Sequence, residues 1–301
     1  MFLKKKKSVT YIFKLCEVDI ITVTVMTVLV SMFDNYLPND QAFPLTIPSL
    51  LGTALSLVLA FRTGQAYDRW WEARKIWGAI VNDSRSLVRA AKGFVVAGVK
   101  TEDETNFVNR LGMRQIAWVY ALGRSLRNQN ELDGLEEFLP LEEIESIKNK
   151  NNIPNAILEY HSADIKQANA NGLITDFGQL RLDEIVMRNV DSMGMCERIK
   201  GTIFPSPYNR FVHLTIYVFA ITLTVGITDF AGYIEIPATI VITSLFLALE
   251  RIAVLLQDPF ENNPSDIPVS TISNKIEFDL KQMMGNDNLP KPVLSNGYYV
   301  M

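Results

Sequence analysis

The sequence predicts an all-α membrane protein with four transmembrane helices and a cytoplasmic helical bundle. Three observations predict it. Four apolar stretches fall in two pairs, separated by a long polar middle segment. Lysine and arginine crowd one end of each stretch and are missing from the connection within each pair. The polar middle repeats its apolar residues at three- and four-residue steps, with almost no β-branched alternation. The chain has 301 residues, enough for two ordinary domains. Its hydrophobic fraction of 48% is high for a soluble protein, while 21% charged residues is too many for a chain lying wholly in a bilayer.

The first apolar stretch runs from about Val18 to Leu37, with its clean centre at Ile20–Phe33. The start, MFLKKKKSVTYIFKLC, has the basic opening of a signal peptide, but no small-residue cleavage site follows. A retained first membrane helix is expected. The second stretch, Pro44–Phe61, has no charged residue and then turns polar at Arg62 without a helix breaker. One helix should therefore start in the membrane and continue out of it. The third and fourth stretches are about Phe211–Ile227 and Ile236–Leu249. Only the second approaches the ~20 residues of a spanning helix. The shorter runs by themselves would also suit buried core helices.

Charge decides between these. The connections Pro38–Phe43 and Thr228–Glu235 contain no Lys or Arg. Lys4–Lys7, Lys14, Arg62, Arg69, Arg210 and Arg251 all sit at the opposite ends. Positive charge is retained on the cytoplasmic side, which predicts four spans with both termini inside. The expected divisions are 1–61 (N-terminal segment and spans one and two), 62–207 (cytoplasmic helical region), 208–257 (spans three and four) and 258–301 (cytoplasmic tail).

In the middle region, Phe107, Leu111, Arg114, Ile116–Trp118, Leu122 and Leu126 predict a long helix over about Glu102–Asn128. Leu135–Lys150 reads as a short acidic helix broken at Pro140, and Asn151–Pro154 as a turn. Helices are expected at Ala156–Ala170, Asp176–Lys200 and Ile272–Met284. The prolines of Phe204–Tyr208 should break the chain before span three. The final NLPKPVLSNGYYVM reads as extended.

Several function classes are excluded early. A net charge of -4 gives nucleic-acid binding no electrostatic support. Cys16 and Cys196 belong to no C-x-x-C pair, so they read as free thiols rather than zinc ligands. No phosphate loop, dinucleotide fingerprint or zinc-protease motif is present. No enzyme activity, cofactor or metal is expected.

Ionisable residues inside apolar stretches are functional candidates by default. Here they are His213 just inside span three and Glu250 and Arg251 near the end of span four, with Glu17 and Asp19 before span one. His213 has a plainer reading as a boundary histidine making one hydrogen bond. Glu250 and Arg251 either pair with neighbours at the cytoplasmic boundary or line a watery cavity. For Glu17 and Asp19, a pairing with an arginine is the natural reading.

In the second span, Thr53, Leu57 and Phe61 are four residues apart and share a helix face. Gly52, Ala54, Ser56 and Ala60 lie beside them, and small residues let membrane helices approach closely. This pattern suits a symmetric ring with the stripe facing its axis, where stacked apolar rings form a dewetting gate. From spacing alone, packing against another helix of the same chain is the plainer reading, and both stay open.

The segment after this stripe resembles the bestrophin family, in particular its bacterial members. The matching residues are Phe61-Arg62-Thr63, Tyr67-Asp68-Arg69-Trp70-Trp71-Glu72, Ala73-Arg74, Trp77-Gly78 and Asn82-Asp83-Ser84-Arg85. Further on they are Cys196-Glu197-Arg198-Ile199, Pro205, Pro207, Tyr208 and Asp258-Pro259-Phe260. The resemblance covers essentially the whole chain in order. It implies a homopentameric ion channel of the bacterial inner membrane with one axial pore. It places Thr53, Leu57 and Phe61 in a hydrophobic pore neck, with Thr53 departing from the family's usual bulky apolar residue. It implies a second, cytoplasmic constriction near Phe177 and Leu180. Animal members carry an acidic calcium clasp after the Asp/Asn-Pro-Phe motif. The corresponding Glu261–Asp266 lacks most of that cluster, so calcium gating is not expected. The implied partners are four further copies of the chain, small inorganic ions and the lipid bilayer. Chloride or other anions are the family's general cargo, and monovalent cations remain open for bacterial members. The alternative is a membrane-anchored scaffold or regulatory protein that binds a partner through its cytoplasmic helices.

Overall fold

A computed structural model describes residues 5–34, 43–202, 206–231 and 234–291. These form ten α-helices in chain order: α1 (Lys5–Leu15), α2 (Glu17–Asp34), α3 (Thr46–Gly93), α4 (Thr101–Leu126), α5 (Leu141–Ile147), α6 (Ile153–Ala170), α7 (Asp176–Gly201), α8 (Ser206–Ala231), α9 (Glu235–Gln257) and α10 (Val269–Met284). Among the described residues there is no strand, only an isolated antiparallel bridge between Val95 and Ile174. The chain divides into two compact units. One comprises Phe2–Trp70 with Ile203–Asp258, and the other Trp71–Thr202 with Pro259–Met301.

The apolar unit holds α1, α2, the first half of α3, α8 and α9. Its core is Cys16, Val23, Leu55, Leu59, Val212, Ile216, Phe219, Ala220 and Leu247. Gly52 matters to this packing, because a Cβ there would sit 3.0 Å from the Phe219 ring. Phe219 in turn meets Phe246 edge-on at 5.2 Å. Among the described residues, three helices are long and apolar enough to cross a membrane: α3, the Pro207–Ile227 part of α8, and α9. A fourth qualifies if α1 and α2, bent by 60° at Cys16, are taken as one span. The first apolar stretch is thus less clear-cut than its hydropathy suggests. Helix α2 is described as far as Asp34, and residues 35–42 lie outside the described region.

The expected passage of one helix from apolar to polar sequence is present, since α3 is continuous over 48 residues. At 1.5 Å per residue it is roughly 70 Å long. Pro48 falls in its first turn, where a missing backbone donor costs nothing.

The polar unit is a helical bundle centred on α4, whose face from Phe107 to Leu126 is buried. Trp77, Ile80 and Leu87 from the second half of α3 are fully buried with Trp118. Two glycines of α4 lie close against α10. A Cβ at Gly112 would meet Met284 at 2.3 Å, and one at Gly123 would meet Val269 at 2.7 Å. A polar thread runs through the bundle, with Gln115 donating to Ser84 at 2.9 Å and Asn189 to Gln115 at 3.4 Å.

Helix ends follow local chemistry. Thr175 caps α7 by accepting from the Gly178 N–H, and Gly285 ends α10 with φ of 77°. The expected turn at Asn151–Pro154 needs correction. Asn152 is an N-cap, its side chain accepting from the Asn155 N–H, and Pro154 sits inside the first turn of α6. Proline is tolerated there because first-turn donors have no intrahelical partner. Similarly, α10 begins at Val269, three residues before the expected start. Of the expected break at Phe204–Tyr208, residues 204 and 205 lie outside the described residues and Pro207 sits in the first turn of α8; most of the final tail also lies outside them. Both cysteines are free thiols, as expected, and both are buried.

Candidate functional site

The first half of α3 has two distinct sides. Leu55 and Leu59 are each 2% exposed and pack into the apolar core. Leu57 and Phe61 are 58% and 65% exposed, and Thr53 is exposed with them. The chain's own helices leave this stripe bare. The hydroxyl of Thr53 donates to the Ser49 carbonyl at 2.8 Å, so much of its polarity is turned onto its own helix. A cleft of about 480 Å³ lies beside the stripe between α3 and α9, walled by Leu59, Ala60, Tyr67, Phe246, Leu249 and Leu256.

Immediately after Phe61, the chain buries a charge. The Arg62 side chain is 1% exposed, with Nη1 3.5 Å from Glu250 Oε1 on α9. Glu250 Oε2 is 2.8 Å from His213 Nδ1 on α8. His213 Nε2 is 3.5 Å from Asp19 Oδ1 on α2. Asp19 also pairs with Arg251 at 3.5 Å and accepts a hydrogen bond from Tyr217 at 3.0 Å. His213 packs edge-on against Tyr217 at 5.0 Å. Arg62, Glu250, His213, Asp19 and Arg251 therefore form one belt joining all four long helices of the apolar unit. Carboxylates face both ring nitrogens of His213. The belt fixes α3 directly at the end of the exposed stripe.

This belt bears on the readings of Asp19, His213, Glu250 and Arg251, whereas Glu17 is exposed and lies outside it. Asp19 does pair with an arginine, and Glu250 and Arg251 pair with neighbouring charges. His213 makes the single hydrogen bond of its plainer reading and adds a second carboxylate. Sequence reasoning used Arg62 as a topology marker and as part of the family motif, and missed its buried pairing. The available signal was that Arg62 and Glu250 are the first charges met at the cytoplasmic ends of two apolar runs.

In the polar unit, Phe177 and Leu180 lie in the first turns of α7, 82% and 69% exposed. Gly178 between them is buried, and a Cβ there would meet the Phe94 side chain at 3.1 Å. The two residues thus share a face that this unit leaves uncovered, as at the α3 stripe. The loop after α9 buries Phe260 and Asp266. Asp266 accepts from the Asn263 N–H at 3.0 Å, and burial pushes its carboxyl up to about 6. Among the described residues, no three His, Cys, Asp or Glu side chains converge as metal ligands.

A family model described as Bacterial/Fungal Bestrophin protein matches residues 10–282. The chain belongs to the bacterial and fungal bestrophin family. A voltage-dependent anion channel-forming protein of Escherichia coli O157:H7 is 31% identical over 257 residues, covering 85% of this chain and 82% of that one. A protein of the same description from Ralstonia nicotianae is 30% identical over 255 residues, with the same coverage of each chain. The crystal structure of a bacterial bestrophin homolog from Klebsiella pneumoniae superposes with a TM-score of 0.82 at 25% identity, covering 89% of this chain and 97% of that one. This bestrophin is accordingly a membrane channel protein and not an enzyme.

Proposed function

We propose that this bestrophin forms a homopentameric ion channel of the bacterial inner membrane, with Thr53, Leu57 and Phe61 of each copy facing a central axis. The supporting observation is the bare stripe on α3. Exposed Leu57 and Phe61 lie opposite buried Leu55 and Leu59 on a helix that is long and apolar enough to span a bilayer. A single copy cannot enclose a pore with one helix face, whereas a ring of copies can. Rings of Leu57 and Phe61 would form a hydrophobic neck that controls water and ion entry. The four spans are α2, the first half of α3, α8 and α9, with the Trp71–Thr202 unit and both termini on the cytoplasmic side. Phe177 and Leu180 form a second ring on the cytoplasmic path.

The relatives' names support anions as the cargo. Thr53, Leu57 and Phe61 carry no charge, so the neck itself admits monovalent cations as well. The mass of the detergent-solubilised protein tests the assembly. Five copies are expected, and a monomer would overturn the axial pore. Ion flux from liposomes tests conduction, and assembly without flux would favour a scaffold. The sign of the reversal potential in asymmetric salt then identifies the cargo, with anion permeation expected.

A further inference from the structure

We propose that α1 is an in-plane helix that docks on anionic phospholipid at the cytoplasmic face of the membrane. The proposal rests on reading α2, α8 and α9 as spans. Its first support is charge. The segment before Glu17 carries Lys4, Lys5, Lys6, Lys7 and Lys14 and no acidic residue, in a chain whose net charge is -4.

The second support is position. The belt of Asp19, His213, Glu250 and Arg251 lies at one end of the apolar unit. Charges are costly in hydrocarbon, so the belt marks the water boundary. Asp19 sits in the first turn of α2, and the apolar run Ile20–Phe33 follows it. Helix α1 precedes Asp19 and so lies on the boundary itself. The 60° bend at Cys16 turns it away from the direction of α2. With α2 upright in the bilayer, the 60° bend sets α1 closer to the membrane plane than to the bilayer normal. Its inner side is anchored, because Cys16 is buried with its thiol 3.7 Å from the Leu247 carbonyl of α9.

The third support is the surface that α1 leaves open. Val9, Phe13 and Leu15 are 56%, 39% and 37% exposed. Val9 and Phe13 are four residues apart and share a face. A basic helix with an uncovered apolar face fits the headgroup and acyl boundary, where the apolar residues sink and the lysines meet lipid phosphates.

Nitroxide labels at Val9→Cys, Phe13→Cys and Leu29→Cys test this in full-length protein held in phosphatidylcholine nanodiscs with or without phosphatidylglycerol. Leu29, in the middle of α2, reports the spanning assignment separately. The expected result is a deep, oxygen-accessible Leu29 label and shallow, oxygen-accessible labels at Val9 and Phe13. A deep Leu29 with Val9 and Phe13 open to a water-soluble nickel complex would overturn the docking of α1. Shielding of Val9 and Phe13 from both quenchers would overturn it in favour of a second copy. A water-exposed Leu29 would overturn the span and the proposal together. The lipid class is tested by Lys5→Gln, Lys6→Gln and Lys7→Gln combined. Preference for spin-labelled phosphatidylglycerol over phosphatidylcholine should fall roughly tenfold or more, since each lysine adds to surface attraction. An unchanged preference would overturn the anionic assignment.

Discussion

Arg62 is buried against Glu250, Nη1 to Oε1 at 3.5 Å, one residue beyond exposed Phe61. No group among the described residues accepts a hydrogen bond from the Arg62 guanidinium, so Glu250 is its main compensation. The pair connects α3 to α9, and through His213 to α8 and α2.

Removing one member of a buried pair leaves the other charge unpaired, which costs about 3 kcal/mol or more. Arg62→Gln and Glu250→Gln should each lower the unfolding temperature of the purified protein. The double variant should be more stable than the sum of the two losses predicts. Strict additivity in that cycle would show the two residues to be uncoupled.

Arg114 poses the same test in the polar unit. Its side chain is 1% exposed and donates to both Glu143 oxygens, at 2.6 Å and 3.2 Å, and to Asp164. These bonds outweigh the burial that opposes its charge, so its ionisation is held above the ordinary arginine range. Arg114→Met should destabilise the bundle by about 3 kcal/mol, because two carboxylates lose a shared partner. Denaturant unfolding measures this, and a loss under about 1 kcal/mol would show that water compensates the carboxylates.

His161 is fully buried, and neither ring nitrogen has a hydrogen-bond partner. Burial, with Arg114 adding to it, holds its ionisation well below the ordinary 6.5. The unfolded chain therefore takes up a proton on acidification before the folded chain does. This residue's share of stability is complete above 6.5 and is lost as pH falls below it. His161→Leu should raise the melting temperature more at about pH 5.5 than at about pH 8. An equal change at both values would contradict the buried neutral imidazole.

Phe177 and Leu180 offer a separate test of the cytoplasmic path. If they form a constriction, Phe177→Ala with Leu180→Ala should alter conductance or ion preference. Both side chains are largely exposed in the single chain, so the melting temperature should change little. A stability loss with unaltered currents would make them packing residues instead.

Most of the helices were legible in the sequence. The buried face of α4 follows the three- and four-residue spacing that predicts it, and the charge-free run into Arg62 announced one continuous α3. Helix starts were harder, because Pro154 looks like a breaker until Asn152 is seen capping the turn around it. Of the candidate site, the stripe of Thr53, Leu57 and Phe61 could be read from spacing, since residues four apart share a face. The Arg62–Glu250 pair could not, because its partners are separated by almost the whole middle of the chain. Their meeting depends on how α3 packs with α9, which periodicity does not encode. The 60° bend at Cys16 was also hidden, as no proline or glycine marks it.

Current through planar bilayers carrying Leu57→Ala and Phe61→Ala together tests the pore assignment most directly. If these side chains form the apolar neck, the smaller residues widen and wet it, and single-channel conductance rises above that of the parent protein. Unchanged conductance in a correctly assembled variant would contradict the placement of the α3 stripe on the ion path.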